Sequence, residues 1–333
     1  MDLAALVANA RSVETAAGAR LLPMVKANAY GLGAVPIARA LEALDPWGFG
    51  VATVGEAVEL REAGIARPVV VFTPATADQR DRYASLDLTA VLDDPAVAQL
   101  WGQRHHLEVD TGMSRCGLRW DDPRLASWPT EHLGGAFTHF HSADVAPESV
   151  STQWNRFREA LRRLPSRPAL VHAAGSAAAW RLGERLDLVR PGVFLYGGMH
   201  AGDLTPPRPV ATLRAPVVSV RRIAAGDTVS YAATWTATRA TTIATLGIGY
   251  ADGVPRAVEG RAAAVLGGAR RPLVGRVTMD FVMVDAGDAP VSVGETATLI
   301  GDGVSVAEFA AWAGSNTYEV LARLGARLDR VYR

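Results

Sequence analysis

A single lysine, Lys26, stands among Lys+Arg residues that otherwise are all arginine. A position that keeps an amine where every other fixed cation is a guanidinium points to a group that must lose its proton. Lys26 ends the apolar run Leu21-Leu22-Pro23-Met24-Val25, and Ala27-Asn28-Ala29-Tyr30-Gly31-Leu32-Gly33 follows as a glycine-punctuated turn before the helical spacing of Val35, Ala38, Leu41 and Leu44. The lysine is therefore expected at the carboxyl end of a strand. In a barrel of parallel strands that end gathers catalytic groups, and an apolar pocket there turns a lysine into a nucleophile or base near neutral pH. A strand-end lysine in a surface ion pair reads equally well from this peptide alone.

Other polar residues fall at the ends of predicted strands. Arg115 follows the fifth, His139 ends the sixth, His172 and Ser176 lie at and beyond the seventh, and Arg190 closes the eighth. Backbone N–H groups and helix N-termini after the last two strands of such barrels commonly hold phosphate, and Ser176, opening an expected helix from Ala177 to Trp180, and Gly192 suit that task. His139 and His141 could pair on a metal, but no third ligand stands at useful spacing, so no metal is expected. His105 and His106 read as surface residues at a strand start, and Cys116 as a small buried side chain.

The elements that must position these residues follow from periodicity. Residues 1 to 20 read as a helix, and Leu21 to Lys26, Gly48 to Ala52, Pro68 to Thr73, Leu88 to Leu92, His106 to Asp110, Gly135 to Phe140, Leu170 to Ala173 and Leu186 to Arg190 as strands. Eight short strands separated by helical or turn-rich segments predict a (β/α)₈ TIM-like barrel, an α/β fold. The segments after the third and fourth strands barely leave room for a helix. Beyond the linker-like Pro206-Pro207-Arg208-Pro209 the texture changes to β-branched stretches between Gly-Asp, Asp-Gly and Gly-Gly turns. Val217 to Ile223, Thr241 to Ile248, Ala262 to Leu266, Val282 to Asp285 and Thr296 to Ile300 read as strands, with helices at Val306 to Ala313, capped by Ser305, and near Tyr318 to Leu328. Residues 1–208 are expected to form the barrel and 209–333 a mainly-β second domain.

Composition fixes the class of partner. At 333 residues the chain exceeds one ordinary core, and Lys+Arg and Asp+Glu both number 34, so no charge excess points to nucleic acid or anionic lipid. One cysteine excludes an internal disulfide, and neither a basic-then-apolar start nor a long apolar run is present, so no membrane association and a cytoplasmic location are expected. A small-molecule substrate is the expected partner.

The wording of the motifs adds a resemblance. Val25-Lys26-Ala27-Asn28-Ala29-Tyr30-Gly31-Leu32-Gly33, Val109-Asp110-Thr111-Gly112-Met113-Ser114-Arg115, Thr138-His139-Phe140, His172-Ala173-Ala174, Val189-Arg190-Pro191-Gly192, Val229-Ser230-Tyr231, Gly249-Tyr250-Ala251-Asp252-Gly253 and Val274-Gly275-Arg276-Val277-Thr278-Met279-Asp280 resemble, in order, the motifs of the alanine racemase family. The resemblance implies a racemase interconverting L- and D-alanine by two-base proton transfer on pyridoxal 5'-phosphate, within a homodimer whose sites are shared. It implies that Lys26 holds the cofactor as a Schiff base and serves as one base, with Tyr231 of the other subunit as the second. It gives cofactor contacts to Tyr30, His139, His172, Ser176, Arg190 and Gly192, and substrate contacts to Arg115, Tyr250 and Met279. A phenol is unperturbed at about pKa 10, so a tyrosine base needs cationic neighbours or hydrogen bonds, for which His139 is a candidate. Glu108 stands where many members carry a carbamylated lysine, and is expected to supply a permanent carboxylate that pairs with Arg115. Gly175 replaces an asparagine frequent before the serine. A broad-specificity or serine racemase and a non-catalytic pyridoxal-phosphate carrier are the alternatives; single-barrel carriers lack the Val229-Ser230-Tyr231 segment. Arg190 facing the pyridine nitrogen argues against a decarboxylase, which uses an acid there.

Overall fold

The computed structural model describes residues 1–198 and 203–333. Its first half is a ring of parallel strands, β1 (Arg20–Leu21), β2 (Phe49–Val51), β3 (Val69–Val71), β4 (Leu88–Leu92), β5 (His105–Asp110), β7 (Leu133–Phe137), β8 (Leu170–His172) and β9 (Leu188–Val189), with β6 (Leu118–Arg119) beside β5. Hydrogen bonding runs β1-β9-β8-β7-β5-β4-β3-β2. The bridge Met24↔Gly50, with Gly50 N donating to Pro23 O at 2.9 Å and Val25 N to Gly50 O at 2.8 Å, joins the two ends into a closed barrel. Gly50 leaves room here for the Met24 and Phe72 side chains, since a Cβ on it would stand 2.5 Å from Met24 Sδ and 2.9 Å from Phe72 Cε2.

The strands form because they are buried on both faces. Val69–Val71 and Leu88–Leu92 have no exposed residue, the continuous apolar texture of a parallel sheet covered by helices. Helices begin where caps permit: Asp2 Oδ1 accepts from Ala5 N, and Thr53 and Glu56 form a reciprocal capping box for helix Val54–Glu62. The segments expected to be cramped after β3 and β4 do carry helices, Arg80–Ser85 and Pro95–Trp101. Asp94 as cap with Pro95 at the first helical position starts the latter two residues after β4. The helix is missing instead after β5, where β6 and a 3₁₀ turn, Pro123–Ser127, take its place.

The second half is a closed antiparallel barrel, β10 (Leu213–Ile223), β13 (Thr241–Leu246), β16 (Val282–Gly287), β15 (Ala269–Val274), β14 (Ala263–Leu266) and β17 (Thr296–Ile300) in that order, with the ribbon β11 (Thr228–Val229) and β12 (Trp235–Thr236). β15 escapes sequence reading because Ala269-Arg270-Arg271-Pro272 is polar and proline-bearing, signals of an edge or a turn. Ser305 caps helix Val306–Trp312 as expected. The last helix does not reach Leu328: capped by Asn316, it spans only Thr317–Ala322, and the chain turns at Gly325, where a Cβ would stand 2.7 Å from Ala251 O. Each half packs its own apolar core, one around Leu6, Val51, Leu107 and Phe157, the other around Leu246, Val284 and Leu299. No helix among the described residues is long and apolar enough to cross a membrane.

Candidate active site

Lys26 does not close a ladder strand. Pairing stops at Met24, and Lys26 opens a turn in which Ala27, Asn28, Ala29 and Tyr30 all adopt left-handed backbone, φ 52°, 53°, 51° and 53°. Four such non-glycine residues in succession cost about 1–2 kcal/mol each, so neighbours must impose the conformation. Glu56 Oε1 accepts from Ala27 N at 2.7 Å while its other oxygen accepts from Ala52 N at 2.7 Å, and Asn28 Oδ1 accepts from Ala34 N at 2.8 Å. Sequence reading missed Glu56: the Thr53-Val54-Gly55-Glu56 spacing is that of a capping box, but nothing in it signals the reach to Lys26's neighbour. Lys26 is half-buried, and its Nζ finds no hydrogen-bond partner among the described residues. Burial, then the charges of Arg115 and Arg190, hold its pKa below the ordinary lysine value against the opposing pull of Glu56.

On the neighbouring strand, just past β9, Arg190 is buried and tightly held. It donates to His172 Nδ1 at 2.7 Å, to Thr138 O at 2.7 Å and to Ala173 O at 3.2 Å, and its guanidinium lies 5.0 Å from the centre of the Phe137 ring. Because arginine can only donate, His172 must carry its hydrogen on Nε2, and that nitrogen meets His106 Nδ1 at 2.9 Å. His106 in turn carries its hydrogen on Nε2, which is buried without a partner among the described residues. His105 and His106 are therefore not surface residues. As neighbours on β5 they point to opposite faces, His105 toward Trp128 and His106 toward His172, and both are buried, at 1% and 0% exposure. Burial lowers both members of the relay, His172 well below the usual imidazole value and His106 to about 3, so the chain of rings stays neutral. Arg190 is lowered by burial to about 10 and remains a cation at neutral pH. Its Nε–H has no acceptor among the described residues.

Beyond β8 and β9 a cradle forms. Ser176 does not cap a helix, for Ala178–Arg181 has no side-chain cap. Its Oγ instead accepts from Gly192 N at 3.1 Å and Phe194 N at 3.4 Å, which leaves its own hydrogen to donate outward. Tyr30 Oη lies so close to Gly192 that a Cβ there would be 2.5 Å away. Tyr30 stacks at 4.8 Å on Tyr196, whose hydroxyl donates to Met24 O at 2.8 Å. Three groups that can contact a phosphate thus meet around one alpha-carbon.

Arg115 is exposed at the mouth. Glu108 makes no ion pair with it, contrary to expectation; the chain at Gly117 packs so near the Glu108 side chain that a Cβ there would stand 3.0 Å from its Cγ. Buried at 6% exposure, Glu108 is raised to about 7 by desolvation against the pull of Arg115 and Arg190, so its charge is not permanent. His139 reaches solvent at the mouth, although protein crowds its inner edge. That crowding, with Arg190, Arg115 and Lys26 nearby, lowers its pKa. His141 bonds Ser142 Oγ at 2.6 Å.

The other motifs gather on the second domain. Ser230 Oγ donates to Arg276 O at 2.8 Å, and Tyr250 N and Ala251 N donate to Thr278 O and Met279 O at 3.0 and 3.1 Å. Arg327, which sequence reading missed, fixes this assembly by forked bonds to Asp252 at 2.9 and 3.0 Å and a third to Asp280 at 2.8 Å. Tyr231, Tyr250, Met279 and Phe281 stand out from it at 72%, 44%, 52% and 45% exposure.

Residues 1–200 match the family of the alanine racemase N-terminal domain and residues 210–332 that of the C-terminal domain. The chain is 42% identical over 340 residues to the alanine racemase of Deinococcus deserti, covering 98% of this chain and 96% of that one, and 40% identical over 347 residues to that of Deinococcus radiodurans, covering 99% and 97%. Among solved structures, the alanine racemase of E. faecalis superposes with a TM-score of 0.93 at 31% identity, covering 100% of this chain and 97% of that one. The alanine racemase of Bartonella henselae with covalently bound pyridoxal phosphate gives 0.93 at 30%, covering 100% and 98%. Matched in both halves and over its whole length, the chain belongs to the alanine racemase family.

Proposed function

We propose that Lys26 and Tyr231 are the two bases with which this chain racemises alanine, on pyridoxal phosphate held in the mouth of the first barrel, within a cytoplasmic homodimer. The chain is an isomerase of the alanine racemase type, interconverting L- and D-alanine. The observation that carries the assignment is the chain's one lysine, unpartnered among the described residues and of lowered pKa, flanked by Arg115 and Arg190.

The residues present fit the cofactor. Ser176, Gly192 and Tyr30 would hold its phosphate, Lys26 its carbonyl carbon, and the Nε–H of Arg190, without an acceptor among the described residues, would serve as a donor for a ring nitrogen. When bound, the cofactor draws electrons from the substrate's α-carbon and makes its proton removable. Racemisation takes that proton from one face and returns one on the other, so two bases on opposed sides suit it better than one. Burial and cationic neighbours raise the fraction of Lys26 present as a free amine able to accept it. Arg190 stays charged and can only donate, so it supports an unprotonated ring nitrogen and a weak electron sink, favouring quick return of the proton to the α-carbon. Arg115, at the mouth, is suited to a substrate carboxylate.

The exposed Tyr231, Tyr250 and Met279 support the shared-site reading: an aromatic and thioether face on the second domain is the kind of surface a partner covers. On this reading residues 1–208 hold the cofactor and residues 209–333 complete the partner's site. The test is L-alanine in heavy water. The parent should form D-alanine with deuterium at the α-carbon, whereas Lys26→Ala should do neither and should retain no cofactor after borohydride reduction. A Lys26→Ala protein that keeps both properties overturns the assignment.

A further inference from the structure

The left-handed turn after Lys26 is held from two directions, and one of them lies far away in sequence. From within the barrel come Glu56 and the Asn28–Ala34 bond. From the far end of the chain comes a segment that leaves the second domain after helix Thr317–Ala322 and crosses back over the barrel. There Arg330 Nε donates to Gly31 O at 2.9 Å, and Tyr332 Oη donates to Leu32 O at 2.9 Å.

The fit is close on both sides. A Cβ on Gly31 would stand 2.2 Å from Leu321 O, and one on Gly33 would stand 2.0 Å from Tyr332 Oη. Gly31 and Gly33 have φ of +79° and +103°, so these positions need glycine for backbone shape as well as for space. The crossing segment is itself fixed. Arg330 also donates to Leu328 O at 3.2 Å, Leu324 O at 3.1 Å and Gly325 O at 3.2 Å, while Leu3 N donates to Arg333 O and Arg333 N to Met1 O, both at 2.9 Å. A half-buried guanidinium satisfying four carbonyls, one of them on the turn, is a rigid bracket.

We propose that Arg330 and Tyr332 are positioning residues for Lys26: by clamping the carbonyls of Gly31 and Leu32 they hold the left-handed turn that sets the lysine beside Arg115 and Arg190. Such a turn persists only when its surroundings over-determine it, and Glu56 alone binds just its first N–H. The bracket secures the opposite end. Its consequence is catalytic because a misplaced base costs rate even when fold and substrate binding survive. The inference rests on the Lys26 assignment above.

The test compares full-length parent, Tyr332→Phe and the double variant Tyr332→Phe/Arg330→Leu, each with cofactor bound. Tyr332→Phe keeps the ring and removes one hydrogen bond, so folding should be spared. Amide hydrogen exchange should accelerate about tenfold in peptides covering residues 26–34 of Tyr332→Phe, further in the double variant, and stay at the parental rate in β5 and β16. Over the same series kcat should fall about three- to tenfold with KM little changed. Parental exchange in residues 26–34 of the double variant, or faster exchange spread evenly over the whole chain, overturns the bracket. So does faster local exchange with kcat intact, because the turn would then be held without consequence for the lysine. Should Lys26→Ala still racemise alanine, the base assignment fails instead, and the exchange rates of residues 26–34 still decide whether the clamp holds the turn.

Discussion

Glu108 is the residue whose environment most changes its expected behaviour. Its carboxyl is raised from 4.5 to about 7, with desolvation the leading cause, so between those values the native state holds a proton that the unfolded chain has released. Stability from this group is thus present below about pH 4.5 and is lost as pH rises through about 7. Glu108→Gln cannot ionise, and its Tm should gain on the parent's progressively between about pH 5 and pH 8. The nearby charge of Arg115 favours the ionised carboxylate without an ion pair, and the reciprocal pull on Arg115 predicts that parental kcat/KM climbs through neutral pH while the variant's is lower and flatter. Superimposable pH profiles of parent and variant would remove Glu108 from the reaction. His106 acts through two rings. His106→Leu leaves the Nε2–H of His172 buried without its acceptor while Arg190 still fixes the tautomer, so the ring that holds the guanidinium is less firmly placed, for a loss of about tenfold in kcat/KM. Ring ¹⁵N shifts check the cause: His172 should carry its hydrogen on Nε2 in parent and variant alike, and that N–H should lose its hydrogen-bonded shift in the variant. Residue type and strand-end spacing singled out Lys26 and Arg190, and their expected roles came from the resemblance of the motifs around them. The His172–His106 relay could not be read in this way, because His106 looks polar at a strand start, and only barrel closure sets it in the core beside His172.

At the scale of elements, periodicity located the eight ring strands of the first barrel to within a few residues, since continuous runs such as Val69–Val71 leave little choice, but it did not locate β6. It failed where backbone departs from ordinary helix and strand. The turn from Ala27 to Tyr30 contains no glycine, so nothing in its composition announces left-handed backbone. Likewise Ser176 reads as a helix cap, but its hydroxyl engages Gly192 N from the next loop. Gly192 joins these elements, and its lack of a side chain admits the Tyr30 hydroxyl. Gly192→Ala should therefore weaken pyridoxal-phosphate affinity at least tenfold, measured by fluorescence titration of cofactor-stripped protein, with kcat at saturating cofactor less affected. Unchanged affinity would mean that the cradle of Ser176, Gly192 and Tyr30 does not carry the phosphate.

At the scale of the whole molecule, one chain presents a polar barrel mouth and, elsewhere, an exposed face bearing Tyr231, Tyr250, Met279 and Phe281. The central claim is that these belong to one site assembled from two chains, Lys26 from one and Tyr231 from the other, in an isologous dimer. Subunit mixing tests it most directly. Lys26→Ala and Tyr231→Phe proteins, each inactive alone, are combined in equal amounts and allowed to exchange. Half the dimers are then mixed, each with both defects in one site and the other intact, so activity should return to about a quarter of the parental value. Exchange verified by mass spectrometry with no recovered racemisation would contradict the shared site.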